Sequence, residues 1–80
     1  MNNRGEAVYA RFFEAIEFLH ATYSIPEMCE VMQIRKDNFC RKRRGERGKD
    51  KLPIEWLTAI VEKYRVSAEW LLVGKGNMFK

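Results

Sequence analysis

Met28-Cys29-Glu30-Val31-Met32-Gln33-Ile34-Arg35-Lys36-Asp37-Asn38-Phe39-Cys40-Arg41-Lys42-Arg43-Arg44-Gly45 carries two short helical patterns separated by a break. Met28, Val31 and Met32 form an apolar stripe, and Gln33-Ile34-Arg35 interrupts it. From Lys36 to Arg44 a second helix is expected, with Phe39 as its one large apolar anchor and Gly45 as its stop. Lys36, Cys40 and Arg44 fall in one row at a spacing of four, Asp37 and Arg41 in the next, and Phe39 on the far side. One face of this helix is built to pack and the other to reach outward.

The same helical period extends in both directions. Upstream, Val8, Phe12, Ile16, Leu19 and Tyr23 predict a helix over about residues 6–22. Ser24-Ile25-Pro26-Glu27 has the form of a capping box and opens the next helix, over about 26–32. Downstream, residues 45–52 hold two glycines and no apolar period, and read as a solvated loop. Pro53 then opens a helix over 53–64 with Ile54, Leu57, Ile60, Val61 and Tyr64 on its apolar face. Ser67 is placed to cap a fifth helix, 67–73, which carries Trp70, Leu71 and Val73 and ends at Gly74 before a tail over 74–80. With the pair at 26–32 and 36–44, the chain reads as one all-α domain of five helices spanning 1–80, without strands or repeats.

Eighty residues leave no room for a catalytic domain beside a regulatory one. The hydrophobic fraction of 46% suffices for a small core. The formal charge of +4 is unevenly distributed: residues 35–51 hold nine basic against three acidic side chains, a net +6, which leaves −2 for the rest. Concentration of the whole surplus on one short helix and its following loop resembles the footprint of phosphate neutralisation. Cys29 and Cys40 lack the spacing of a disulfide framework, and no apolar run approaches the roughly 20 residues of a membrane span, so a cytoplasmic protein is expected. Neither cysteine has the close spacing to His20 of a zinc site, and no metal or cofactor is expected. His20 has no implied nucleophilic partner, and Gly74-Lys75-Gly76 lacks the rest of a phosphate-binding loop, so no enzyme emerges. Cys29 reads as a small core residue and Cys40 as an exposed, oxidisable thiol.

Arginine can bind guanine's two major-groove acceptors bidentately, lysine can do so less selectively, and asparagine pairs with adenine. Arg41, Lys36 and Asn38 therefore have the chemistry to read bases. The plain alternative is that Asp37 and Arg41 form an ordinary i,i+4 ion pair on a solvated face.

The ordered pattern resembles the helix-turn-helix of the phage lambda repressor and Cro family. Cys29 stands where alanine usually allows the two helices to cross, Ile34 matches the buried aliphatic after the turn, Phe39 the apolar residue of the recognition helix, and Arg44-Gly45 its ending. Pro53-Ile54-Glu55-Trp56-Leu57, Ile60-Val61 and Val66-Ser67-Ala68-Glu69-Trp70-Leu71-Leu72-Val73-Gly74 are similar to the family's fourth and fifth helices. The resemblance implies a five-helix domain whose third helix enters the major groove. It puts Lys36, Asp37, Cys40 and Arg41 at base-facing positions, and Arg35, Asn38, Arg43, Arg44 and Arg47 at phosphates. It also implies dimerisation through Trp70, Leu71, Met78 and Phe79.

Three positions depart from that pattern. Gln33 replaces the turn glycine, leaving either a left-handed residue with a Cβ, at a cost of about 1 kcal/mol or more, or a reshaped turn. Lys42 replaces an apolar residue, so its stem must snorkel or the helix must rotate or shorten. Gly48-Lys49-Asp50 looks like an insertion. The functional expectation is a sequence-specific regulator of phage or mobile-element type, a homodimeric repressor on a palindromic double-stranded DNA operator. The alternatives are a protein-interaction subunit of antitoxin or anti-repressor kind, whose partner covers Trp56, Trp70 and Phe79, and a nonspecific DNA binder.

Overall fold

The computed structural model describes residues 4–46, 48–49 and 51–80. Five helices occupy them in the order α1 (Arg4–His20), α2 (Ile25–Met32), α3 (Lys36–Arg43), α4 (Ile54–Tyr64) and α5 (Ala68–Val73). The fold is an all-α domain, as the apolar period predicts, although several ends move. The first helix closes at His20 because the amides of Ala21 and Thr22 turn back onto the carbonyls of Phe18 and Leu19, at 3.3 and 2.9 Å. Pro53 stays outside α4 as its N-cap, with extended ψ of 140°. Ser24 and Ser67 cap α2 and α5 as expected, accepting from the amides of Glu27 and Trp70 at 3.2 and 3.3 Å.

The turn between α2 and α3 is where sequence and backbone conflict most directly. Gln33 adopts φ 59° and ψ 45°, so the left-handed residue is present despite its Cβ. Its amide bonds to Glu30 O at 3.2 Å and that of Ile34 to Cys29 O at 2.8 Å, the paired bonds of a Schellman ending. Ile34 is thereby turned inward and is buried beside Cys29 and Met28. The turn is therefore not reshaped: two satisfied carbonyls and a buried isoleucine offset the strain at one residue. The third helix ends in the same way, with Gly45 at φ 82°, its amide on Lys42 O and that of Glu46 on Arg41 O, at 3.0 and 3.1 Å.

The core lies where α1 and α5 meet each other and where α2 contacts both α3 and α4. Phe12, Ile16, Met28, Phe39, Ile60, Val66 and Leu71 are fully buried in it. The sole large apolar side chain of α3, Phe39, sits between Phe13 of α1 and Trp56 of α4, with ring centroids 5.6 and 5.9 Å away. Phe12 continues the cluster by touching both Phe13 and Trp56. Complete burial of a phenylalanine is worth on the order of 3 kcal/mol, a large share of the stability of a domain this small. Lys42, one turn from Phe39, is only 9% exposed, so of the outcomes open to it burial is realised and α3 is not rotated away.

The tail folds back onto its own domain. Met78 O accepts from Ser67 N at 2.8 Å, Arg65 O accepts from Lys80 N at 3.0 Å, and Val66 and Phe79 form an antiparallel bridge. No described helix is long and apolar enough to cross a membrane.

Gln33→Gly removes the Cβ that strains the turn while leaving its hydrogen bonds intact. The variant is expected to gain about 1 kcal/mol, raising Tm by roughly 4–8 °C. Thermal unfolding followed by circular dichroism checks this, and a lower Tm would contradict the turn geometry.

Candidate nucleic-acid interface

The seating of Phe39 fixes which side of α3 faces outward. Lys36, Asp37, Asn38 and Arg41 are exposed, and Cys40 is half-buried at the edge of the same face. Arg35, just before the helix, has 78% of its side chain exposed. The expected base-facing set is thus brought together on one surface, with Cys40 recessed rather than fully open.

The ion pairs sort the cations into two groups. Asp37 pairs with Arg35, at 3.5 Å, and not with Arg41. The plain reading, an i,i+4 pair between Asp37 and Arg41, is therefore not realised. Partial desolvation works to raise the Asp37 carboxyl, but Arg35, the backbone amides of Asn38 and Asp37 and the more distant Arg41 outweigh it and hold it below its ordinary value. Arg43 binds Glu17 of α1 at 2.6 Å, and Arg44 binds Glu46 at 2.8 Å. Among the described residues, Lys36 and Arg41 have no carboxylate within ion-pair distance. These two extend toward solvent with their charge uncompensated, whereas the arginines assigned to phosphates each hold a carboxylate that a phosphate would displace. Exposed pairs of this kind are worth about 0–1 kcal/mol, so the exchange costs little. Arg47, also assigned to a phosphate, lies outside the described residues.

A contact that sequence reasoning missed holds the end of this helix. Tyr9 of α1 is buried, and its hydroxyl donates to Lys42 O, with Arg43 O 3.2 Å away. Carbonyls in a last helical turn lack partners within the helix, and Tyr9 supplies one across 33 positions of sequence. With the Glu17–Arg43 pair it ties the C-terminal turn of α3 to α1 at two points. The visible signal was the aromatic run Tyr9, Phe12, Phe13, wider than one core stripe needs.

Cys29 is buried, and that burial, reinforced by Cys40, pushes its thiol up, with Lys36 opposing. It is a protonated core residue. His20 donates from Nδ1 to Tyr23 O at 3.0 Å and so closes the α1–α2 turn. Among the described residues, no cluster of three or more His, Cys, Asp or Glu side chains could hold a metal ion.

The expected dimer set needs correction. Leu71 is fully buried, packed in the core of its own chain, and presents no surface. Trp70, Met78 and Phe79 are half-buried, and Phe79 packs on Phe18 at 5.3 Å while the tail is bonded to residues 65–67. The apolar surface lies elsewhere: Ile54, Leu72 and Val73 are 62%, 49% and 60% exposed. Beside them, Leu57, Thr58 and Val61 of α4 help to line a shallow groove of about 230 Å³ against α5. The helical period had put Ile54 on the packed face, but it sits in the first turn of α4, at the rim of the core.

Comparison of the chain with protein-family models, characterised proteins and solved structures returned no match.

The Arg43 hydrogen bond, followed by its charge, lowers the Glu17 carboxyl below its ordinary value, with a smaller contribution from His20 outweighing little but adding to it and desolvation opposing. A carboxylate so depressed contributes its pairing above its unfolded pKa and loses it as pH falls through the folded value. Titration of Glu17 by carbon-detected NMR is expected to show a midpoint below that of Glu14, moving up in Arg43→Gln. An unchanged midpoint in that variant would contradict the pairing.

Proposed function

We propose that this chain is a sequence-specific double-stranded DNA-binding regulator of the lambda repressor and Cro helix-turn-helix type, acting as a homodimer. The observation that carries the reading is the two-sided character of α3: Phe39 is buried in the aromatic seat while Lys36 and Arg41 project from the opposite side without carboxylate partners. In support, α3 has eight residues, about 12 Å of helix, comparable with the roughly 12 Å width of the major groove.

In this reading α2 crosses the backbone and α3 lies in the groove. The Arg41 guanidinium is suited to guanine N7 and O6, Lys36 to a neighbouring acceptor, and Asp37 to a cytosine amino group. Arg35, Asn38, Arg43 and Arg44 fix the register by meeting phosphates, the three arginines exchanging their carboxylates for them. Ile54, Leu72 and Val73 form the contact between two copies, replacing the dimer set expected from sequence. The chain measures 34 × 30 × 21 Å, so two copies side by side suit half-sites one helical turn, about 34 Å, apart. Regulation then works by occupancy, with polymerase blocked or recruited at the site.

The same exposed apolar surface favours a second reading, in which a different protein covers α4 and α5 and the chain serves as an antitoxin-like or anti-repressor subunit. The partner surface expected from sequence is less suitable, because Trp56 is half-buried against Phe39 and Phe12.

Selection of bound duplexes from a random pool tests the proposal. An enriched palindrome is expected, with affinity falling on the order of 10³-fold between 50 and 200 mM salt if about six phosphates are neutralised. Arg41→Ala should relax preference at one base position per half-site, while Arg44→Ala should weaken all sequences alike. A steep salt slope without enrichment would mean a nonspecific binder, and no retention at moderate salt would favour the protein-partner reading.

A further inference from the structure

The face of α3 that carries Arg41 also borders a cleft that duplex recognition does not require. It lies between α3 and the segment leading into α4, and encloses about 390 Å³, within the range of small-molecule sites. Its apolar wall is Leu52, Pro53 and Trp56, its rim carries Arg41 and Lys51, and Asn38 adds a side-chain amide. Arg41 and Lys51 have no carboxylate within ion-pair distance among the described residues, and Lys51 is exposed. Lys42 closes the inner side of the same cleft. The floor is rigid: Trp56 is held from behind by Phe39 and Phe12, at 5.9 and 6.2 Å.

These features specify an occupant. An aromatic ring set into a hydrophobic wall, two cations at the mouth, an amide beside them and no acidic side chain in the lining match a planar aromatic group bearing one anionic substituent. A purely apolar molecule would leave the cations unused, and an inorganic anion would leave the wall wet. Arginine's planar fork is suited to a carboxylate, sulfonate or phosphate, and it also stacks on rings.

We propose that the cleft between α3 and Trp56 binds a small aromatic anion, with the ring against Leu52, Pro53 and Trp56 and the charge between Arg41 and Lys51. Because Arg41 serves both, an occupant of the cleft competes with the duplex. That consequence rests on the function proposed above, whereas binding in the cleft does not.

The test uses the full chain and 1-anilinonaphthalene-8-sulfonate as the probe, followed by ¹H–¹⁵N NMR. The expected result is saturable shifts of the Trp56 indole N–H, the Asn38 side-chain amide and the backbone amides of residues 51–56. Lys51→Glu should weaken the probe about tenfold, roughly the loss of one charge-assisted contact. The exposed position of Lys51 allows the variant to fold, which unchanged Tm verifies. Neutral 1-aminonaphthalene and inorganic phosphate should each bind far more weakly than the sulfonate. Shifts confined to the groove around Ile54 and Leu72, equal affinity for the neutral ring, or unchanged affinity in Lys51→Glu would each overturn the proposal. Displacement of a selected duplex by the probe is read separately. A chain that takes up the probe in the cleft but binds no duplex refutes the DNA reading alone, and one that binds a duplex but not the probe refutes the cleft alone.

Discussion

The burial of one phenylalanine orients everything else in this protein. The third helix is eight residues long and strongly basic, with mean hydropathy far below that of its neighbours, and such a helix has little tendency to persist by itself. What holds it is Phe39, wedged between Phe13 and Trp56. Removing an aromatic side chain from such a site costs about 3–5 kcal/mol, comparable with the whole stability of many small domains. Because that one contact comes from one side of the helix, it also determines which residues face out. The chemistry of Lys36 and Arg41 is thus a consequence of packing on the opposite face.

Additional contacts limit how far this helix can tilt. Its start is set by the left-handed Gln33 and the inward turn of Ile34, and its end by Tyr9 and Glu17 of α1. Each is individually modest: a hydrogen bond to a neutral carbonyl is worth about 1 kcal/mol, and an exposed ion pair less. Together they fix both ends of a helix whose middle is anchored by Phe39. A rigid presentation is what any surface that reads base edges requires, because hydrogen bonds weaken steeply with misalignment.

The helical periods of α1 and α4 were legible because each has enough turns for an apolar stripe to stand out, and the two serine caps were legible because their chemistry is local. The outward position of Lys36, Asp37 and Arg41 followed from the spacing to Phe39. Three things were not legible, each because it depends on distant parts of the chain. The conformation of Gln33 is decided by the burial of Ile34 and not by its own preference. The Tyr9 contact joins residues 33 positions apart. The fate of the tail depends on Val66, which pairs with Phe79 and so withdraws Met78 and Phe79 from the surface expected to form a dimer. Leu71 and Ile54 exchanged places for a related reason: period assigns a face, but depth in the core depends on which helices cross there.

The account's central claim is that the exposed face of α3 enters the major groove, and Cys40 allows a direct measurement. It is half-buried at the edge of that face, whereas Cys29 is buried in the core, so one native thiol is placed to react. Duplexes recovered by selection can be prepared with a disulfide-activated tether on a cytosine N4, which projects into the major groove, or on a guanine N2, which projects into the minor groove. The account predicts crosslinking through Cys40 to the major-groove tether at one or two positions per half-site, lost in Cys40→Ser. Crosslinking to the minor-groove tether alone, or none at any position of a bound duplex, would contradict it.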